Sequence, residues 1–466
     1  MTPRAERRLF FLLALALYAA ATHPRVFSAG NDASRWAQVE SIVDHGRTSI
    51  ELSRFRGTVD KVVVGGREYS NKPPLLGLAG AALYAPLRAL TGWRIADPAT
   101  GGRVIRALTL LLVGLPAAAG VALLHRALER AAVGRGTRAL LCLALGGGTL
   151  VTSFAVTLNN HVPAAFFLLA ATLAALDGRA GRSGLLCGLA GALDLLPGFG
   201  FAPFLAGALA GESAGRPARL GRFAAGVGAG LALLAAANLA AHGSVLPAKM
   251  LPGAVDLAAQ MGPSALGVVL PESAAYPLEI LFGPHGLFAV SPVLLVGVWG
   301  LVRATRQPVL GAAVAWRWIA AGIAVQFAGH ALIAGSYGGW SYGYRYLIPI
   351  QPLLLLAAPA ALGLRPARLL FAALLPVSIL FAALGAYHPW PPAWEQASSA
   401  GSVAAMVTNP IGGNAAALAA ARLPDSALAE ALGRRFVDAD PQRRRQYFAL
   451  FFGTKGDLET RRRFLP

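Results

Sequence analysis

The chain has 466 residues, 56% of them hydrophobic and only 14% charged, with a mean hydropathy of +0.56. Soluble domains carry about 25% charged residues, so this composition excludes a soluble enzyme and indicates an integral membrane protein. The formal charge of +19 does not argue for nucleic acid, because the basic residues sit in short clusters between apolar runs, as topology signals do.

Apolar runs of about 20 residues recur along the whole length, which predicts helices rather than barrel strands. Cys142 and Cys187 both fall inside apolar runs and read as small buried hydrophobes, with no disulfide framework. The eight histidines are scattered without metal-ligand spacing. Richness in Ala, Gly, Leu and Arg is that of a GC-rich bacterial genome.

In chain order, Arg4 to Arg8 followed by Leu9 to Thr22 has the look of a signal peptide, with Ala19-Ala20-Ala21 mimicking a cleavage site. Because many apolar segments follow, the expectation is an uncleaved first span with a cytoplasmic N-terminus. Residues 23–103 form a large polar insert. Asn31 or Asp32 can cap a helix running to His45, with Trp36, Val39 and Val43 on one face and Arg35, Gln38 and Glu40 in more polar surroundings. Val59 to Tyr69 alternates and contains Gly65-Gly66, a hairpin signal. Pro73-Pro74 opens an apolar stretch, Leu75 to Leu90, that can either span the membrane or lie along it.

The basic clusters decide between these options. With residues 75–90 on the outer surface and the second span at 104–125, every alternate connector is basic: Arg126 to Arg138, Arg179 and Arg182, Arg216 to Arg222, Arg303 and Arg306, Arg365 and Arg368. That pattern obeys the positive-inside rule. The resulting map is an all-α polytopic bundle of about eleven spans. They lie at 8–22, 104–125, 139–155, 162–176, 184–197, 199–210, 223–241, 286–302, 314–334, 346–363 and 369–386. The fifth and sixth are short and broken at Pro197-Gly198, which suits a re-entrant pair. Residues 1–386 are read as one transmembrane domain. Residues 387–466 are read as a small extracytoplasmic tail, whose Arg443 to Arg445 and Arg461 to Arg463 rest on anionic headgroups.

This topology collects the unusual residues on one face: Asp32, Arg35, Glu40 and Lys72 from the insert, Asn159-Asn160-His161 from an abrupt polar loop, Asp194, and the Gly335 to Tyr346 loop. Trp36, Trp93, Trp340, Trp390 and Trp394 fall there too, where interfacial aromatics are ordinary. Ionisable groups at membrane depth mark function by default. Lys72, His161 and Arg345 would make a cationic cluster suited to a phosphate, with Arg345 foremost because a guanidinium grips phosphate oxygens in a fork. Plainer readings stand beside these: an arginine anchoring a helix end, a hydrogen-bonded structural histidine, Asp32 as a helix cap, and Asp194 in packing or substrate lining. An aspartate facing a cationic phosphate site suggests group transfer from a lipid phosphate, the aspartate acting as general base on an acceptor hydroxyl.

Here the residues carry a resemblance. Asp32-Ala33-Ser34-Arg35-Trp36-Ala37, Gly46, and Gly66-Arg67-Glu68-Tyr69-Ser70-Asn71-Lys72-Pro73-Pro74-Leu75-Leu76 are similar to the first outer loop of GT-C membrane glycosyltransferases. The branch is that of lipid A aminoarabinose transferases and protein O-mannosyltransferases. Tyr344-Arg345-Tyr346-Leu347-Ile348-Pro349, with Pro352, resembles the branch's later Arg-Tyr-x-x-Pro segment. The resemblance covers about the first hundred residues well and the rest through topology. It implies an inverting transferase that takes a sugar from a polyprenyl-phosphate donor to a glycan, lipid or protein acceptor, working on the outer face of the bacterial inner membrane. Asp32 carries over as the catalytic base, with Lys72, Arg345 and His161 on the donor phosphate. Arg35, Asn160, Trp340, Tyr342 and Tyr346 would line the substrate.

Two departures bear on chemistry. Ala33 replaces a usual second acidic residue and Asn71 replaces an acidic residue before the lysine, so a divalent metal stays an open question. Asn159-Asn160-His161 stands where relatives often place an acidic residue. The rival readings are a multi-pass transporter or flippase, for which the break at Pro197-Gly198 argues, and a noncatalytic scaffold or sensor. A phosphoethanolamine-type transferase would need a large soluble metal-binding domain, which this sequence lacks.

Overall fold

The computed structural model describes residues 2–26, 30–211, 215–257, 264–265, 268–269, 274–333, 338, 341–391 and 409–452. Helices dominate. The first, α1 (Pro3–Ala21), turns Leu9, Leu12, Leu13 and Leu17 outward and buries Ala14 and Tyr18. Its Glu6 is buried and accepts from Arg138 at 2.8 Å, with His125 at 3.6 Å. This network clips the start of α1 to the two helices that follow the polar insert.

Within the insert, α2 (Asn31–His45) carries Trp36 and Val39 inward as expected. Gly30, rather than Asn31 or Asp32, occupies its cap position, and residues 31–41 are buried on all sides rather than on one face. The hairpin pairs β1 (Lys61–Val64) with β2 (Arg67–Ser70) in the register Val64↔Arg67 to Lys61↔Ser70. Gly65 and Gly66 have φ of +56° and +77°, the left-handed pair that a two-residue turn needs and that glycine adopts without strain. A third strand, β3 (Val255–Asp256), pairs with the far edge of β1. α3 (Leu75–Thr91) lays Gly77 and Gly80 against Gln38 and Val39 of α2, so the two helices of the insert pack backbone to side chain.

The bundle continues with α4 (Gly101–Arg130), α5 (Arg135–Phe154), α6 (His161–Leu176), α7 (Ala180–Leu193), α8 (Leu195–Leu209) and α9 (Arg216–His242). After β3 come α10 (Tyr276–Val290), α11 (Leu294–Ala304), α12 (Ala313–Ile333), α13 (Arg345–Leu362) and α14 (Arg365–Tyr387). Against the expectation of about eleven spans, five helices among the described residues are long and apolar enough to cross a membrane: α4, α5, α9, α13 and α14. A sixth span is reached if α10 and α11, bent by 102°, count as one. The difference has local causes. Arg4, Glu6, Arg7 and Arg8 crowd the first turns of α1, and Arg317, Gln326 and His330 interrupt α12. α6, at 16 residues, is short for about 30 Å of hydrocarbon. The break between α7 and α8 falls at Asp194, whose backbone is extended, and not at Pro197-Gly198; Pro197 sits in the first turn of α8, where a proline costs little.

The expected tail contains three helices, α15 (Pro410–Arg422), α16 (Ala427–Phe436) and α17 (Pro441–Phe452). Asn414 docks them by donating to the carbonyls of Leu384 and His388 at the end of α14. Arg444 pairs with Glu430 at 2.8 Å and Arg443 lies near Asp438, so these arginines hold the tail together; Arg461 to Arg463 lie outside the described residues.

The tightest contact in the bundle is between α7 and α9. Gly184 and Gly188 on one helix meet Gly226 and Gly230 on the other, and a Cβ at Gly230 would sit 2.3 Å from the Gly188 backbone. Two glycines four residues apart on each helix let the backbones touch, which is how helices associate where water supplies no driving force. Gly230→Leu is expected to cost about 3 kcal/mol through overpacking, read as a lower thermal midpoint in detergent. Gly228→Leu, with nothing within 4 Å of its added Cβ, should melt like wild type.

Candidate functional site

The site assembles where the first turns of α2 meet the end of the hairpin, the 157–161 loop, the α7–α8 break and the start of α13. Hydroxyls set its frame. Ser34 donates to the Asp60 carbonyl at 2.6 Å and shares a 2.6 Å hydrogen bond with Ser70, the last residue of β2. Thr58 donates to the Gly30 carbonyl at 3.0 Å. Asp60 and Lys72, just outside the paired strands, are thereby brought side by side, with Lys72 Nζ 2.7 Å from Asp60 Oδ2. Asp60 was not among the residues singled out from sequence. The hairpin register contains the signal, since Lys61↔Ser70 places Asp60 beside Asn71 and Lys72.

Asp32 is buried on the first turn of α2, where one carboxylate oxygen accepts from the Ala33 backbone at 2.9 Å. Arg35, one turn further, is also buried and donates to the carbonyl and side chain of Asn31 and to the side-chain oxygen of Asn160. Asn160 completes the link by donating to the Leu193 carbonyl at 3.1 Å. Asn159 caps α6, accepting from Val162 at 3.1 Å. His161, the first residue of α6, hydrogen-bonds through Nδ1 to Asp194 at 2.5 Å. The broken helix therefore has a use at this point: it frees Asp194 to reach across to α6. Glu40 stands apart, accepting from Ser53 Oγ and Arg54 N and so holding the 49–58 loop.

Arg345 opens α13 and is 5% exposed. Its guanidinium lies between two rings, 4.8 Å from the centroid of Trp390 and 5.2 Å from that of Tyr346. Trp390 is fixed in turn by its indole N–H, which donates to Thr157 Oγ1 at 3.0 Å. Among the described residues Arg345 makes no ion pair and its side chain no hydrogen bond, and its buried Nε has no acceptor. Tyr346 stacks on His330 at 5.3 Å and meets His161 edge-on at 5.5 Å. Tyr342 lies elsewhere: it is fully buried against Gly385 and its hydroxyl donates to the Phe381 carbonyl, a packing contact with α14. Trp340 lies outside the described residues.

Electrostatics tie these groups together. Burial pulls Arg35 down to about 10, and Arg345 pushes in the same direction. Burial likewise holds Lys72 below the usual lysine value, with Arg35 and Arg345 adding to it against Asp60. Burial opposes ionisation of Asp60, yet Lys72 and then Arg345 and Arg35 outweigh it and hold the carboxyl below its usual range. Asp60 thus feels three cations, of which Arg35 is also favoured by Asp194 and Asp32. Asp60 and Asp194 are paired with Lys72 and His161, and no three His, Cys, Asp or Glu side chains converge among the described residues.

Beside Lys72 opens a small cleft of about 60 Å³. Gln38, Tyr69, Asn71 and Lys72 form its polar side, and Leu195 with Leu234, Asn238 and Ala241 of α9 its more apolar side. Lys249 lies at its edge. The contribution of α9 and residues 247–249 was not legible in the sequence, because they reach the cleft only through the α7–α9 glycine contact and the β1–β3 pairing.

No protein-family model matches this chain, and no significant match joins it to a curated protein or to a solved structure.

Removing one partner of a largely buried ion pair is costly, so Asp60→Asn is expected to lose roughly 3 kcal/mol of stability, read by thermal unfolding at neutral pH. Because the folded carboxyl sits below its ordinary value, the pair's contribution is complete above about pH 4 and is lost as pH falls through the depressed value. The gap between wild type and Asp60→Asn should therefore close in acid and stay constant near neutrality.

Proposed function

We propose that this chain is a membrane glycosyltransferase of the GT-C type, moving a sugar from a polyprenyl-phosphate donor to an acceptor hydroxyl with inversion. The observation that carries this reading is Arg345: a buried guanidinium, flanked by Trp390 and Tyr346, with no carboxylate paired to it among the described residues. A buried charge without a partner is costly, and a phosphate is the partner whose geometry a guanidinium fork matches. Of its neighbours, Lys72 is already paired with Asp60, and His161 hydrogen-bonds to Asp194. Arg345 is thus the principal phosphate contact and Lys72 the secondary one.

In the proposed reaction the Asp32 carboxylate takes the proton of the acceptor hydroxyl as its oxygen attacks the anomeric carbon. The bond from that carbon to the phosphate oxygen breaks, and the electron pair leaves with the phosphate, whose added charge Arg345 and Lys72 stabilise. Arg35, carried beside Asp32 on α2 and tethered by Asn160, orients the loop against α6. The partly apolar cleft next to Lys72, walled by the outward-facing α9, suits a substrate with a lipid portion. The enzyme would sit in a bacterial inner membrane with this face outward, as the alternation of basic connectors implies.

A transporter is the second reading, favoured by the 102° bend between α10 and α11 and by the extended break at Asp194, both forms of discontinuous helix. Sugar transfer in proteoliposomes from labelled polyprenyl-phosphate sugars separates the two. Asp32→Asn is expected to lower turnover by about 10²–10⁴-fold with donor KM retained, as loss of a general base does. Arg345→Lys is expected to raise donor KM, since a point charge cannot replace the fork. Equal transfer by Asp32→Asn and wild type would remove Asp32 from the mechanism. Substrate flux across the vesicle without transfer would establish the transporter.

A further inference from the structure

α6 carries the candidate site at His161, and its other end, at Asp177, lies about 24 Å away at 1.5 Å per residue. There a second, independent feature appears. Arg126 and Arg130 from the end of α4, Arg179 and Arg182 around the start of α7, and Arg219 and Arg222 from α9 converge on one continuous groove. The acidic residue lining it is Asp177, and Arg130 already holds it, with Nη1 3.0 Å from Oδ2. Among the described residues the side chains of Arg126, Arg179 and Arg182 have no ion-pair or hydrogen-bond partner. From this basic mouth the groove continues between α4, α6 and α7 along Ala119, Ala122, Leu123, Phe166 and Ala170. This apolar wall runs from the charged end toward the middle of the helices.

We infer that this groove binds one anionic phospholipid of the leaflet on the basic, cytoplasm-facing side. Arg126, Arg179 and Arg182 hold its phosphate, and an acyl chain lies along the Ala119 to Ala170 wall. A basic surface alone follows from topology. This groove adds two things that topology does not require: arginines from three separate parts of the chain lining adjoining surfaces, and an apolar wall continuous with them. Basic pockets between membrane helices on this side are suited to anionic headgroups, and arginine forks suit their phosphates. The occupant would also bridge α4, α7 and α9, whose basic ends otherwise repel one another.

The test is a native mass spectrometry titration of the full chain in detergent with dioleoyl phosphatidylglycerol, dioleoyl phosphatidylcholine or inorganic phosphate. Selective retention of phosphatidylglycerol is expected, and the combined Arg126→Gln, Arg179→Gln, Arg182→Gln variant should weaken it about a hundredfold. The same positions changed to Lys, keeping charge and fold, should retain most of the binding. Arg365→Gln with Arg368→Gln, on the same side but outside the groove, should bind like wild type. Equal retention of the two lipids, or equal loss from the two sets of glutamine variants, would overturn the site. Displacement of the lipid by millimolar inorganic phosphate would make it a soluble-anion site and overturn the lipid assignment.

Discussion

Charge burial governs the architecture of the polar insert. Arg35, Lys72 and Arg345 all lie largely out of water and within electrostatic reach of one another. Each such ion costs several kcal/mol to desolvate unless something meets it. Asp60 meets Lys72, and Asn31 with Asn160 meets Arg35. These contacts dictate why α2 is buried on every side, why the hairpin closes against it through Ser34 and Ser70, and why the 157–161 loop is held to it. Arg345 is the exception, stacked between aromatic rings that can stabilise a cation but cannot neutralise it. Among the described residues no carboxylate pairs with Arg345, although Asp60 lies within its electrostatic reach.

The helices position that charge by a different kind of force. In the bundle, close backbone approach replaces hydrophobic burial: Gly184, Gly188, Gly226 and Gly230 bring α7 onto α9. That contact places the end of α9 beside Lys72, so a packing feature deep in the bundle shapes the cleft wall. The extended backbone at Asp194 couples the two levels, since the same break that shortens α7 delivers a carboxylate to His161. At the opposite end of α6 Arg130 pairs with Asp177, while the side chains of Arg126, Arg179 and Arg182 have no ion-pair partner among the described residues. The two ends of one short helix therefore lie beside two distinct clusters of basic side chains.

Some of this was legible in the chain itself. Gly65-Gly66 between alternating strands specified the hairpin because a two-residue turn with positive φ at both positions, which glycine adopts without strain, matches the strand twist. Cys142 and Cys187 are free and buried, as their apolar context indicated. The positions of the apolar segments were legible, but the number able to cross a membrane was not, because charges in α1 and α12 and the shortness of α6 are offset by packing that hydropathy does not register. The break expected at a proline and glycine fell instead at an aspartate three residues earlier, since a proline in a first helical turn is no obstacle. Asp60 could have been found by counting the hairpin register outward. β3 could not, because two residues carry no alternation.

What the sequence by itself determined is what depends on neighbours along the chain: membrane character from composition, helix and turn positions from periodicity and glycine, and the alternation of basic connectors. What only the tertiary structure decided is which charges compensate which. Lys72 with Asp60, Arg35 with Asn160, His161 with Asp194, and Arg345 between Trp390 and Tyr346 join segments up to hundreds of residues apart. The physical reason is that Coulomb and hydrogen-bond energies depend on distance in space and on exclusion of water, and neither quantity exists until the helices have packed.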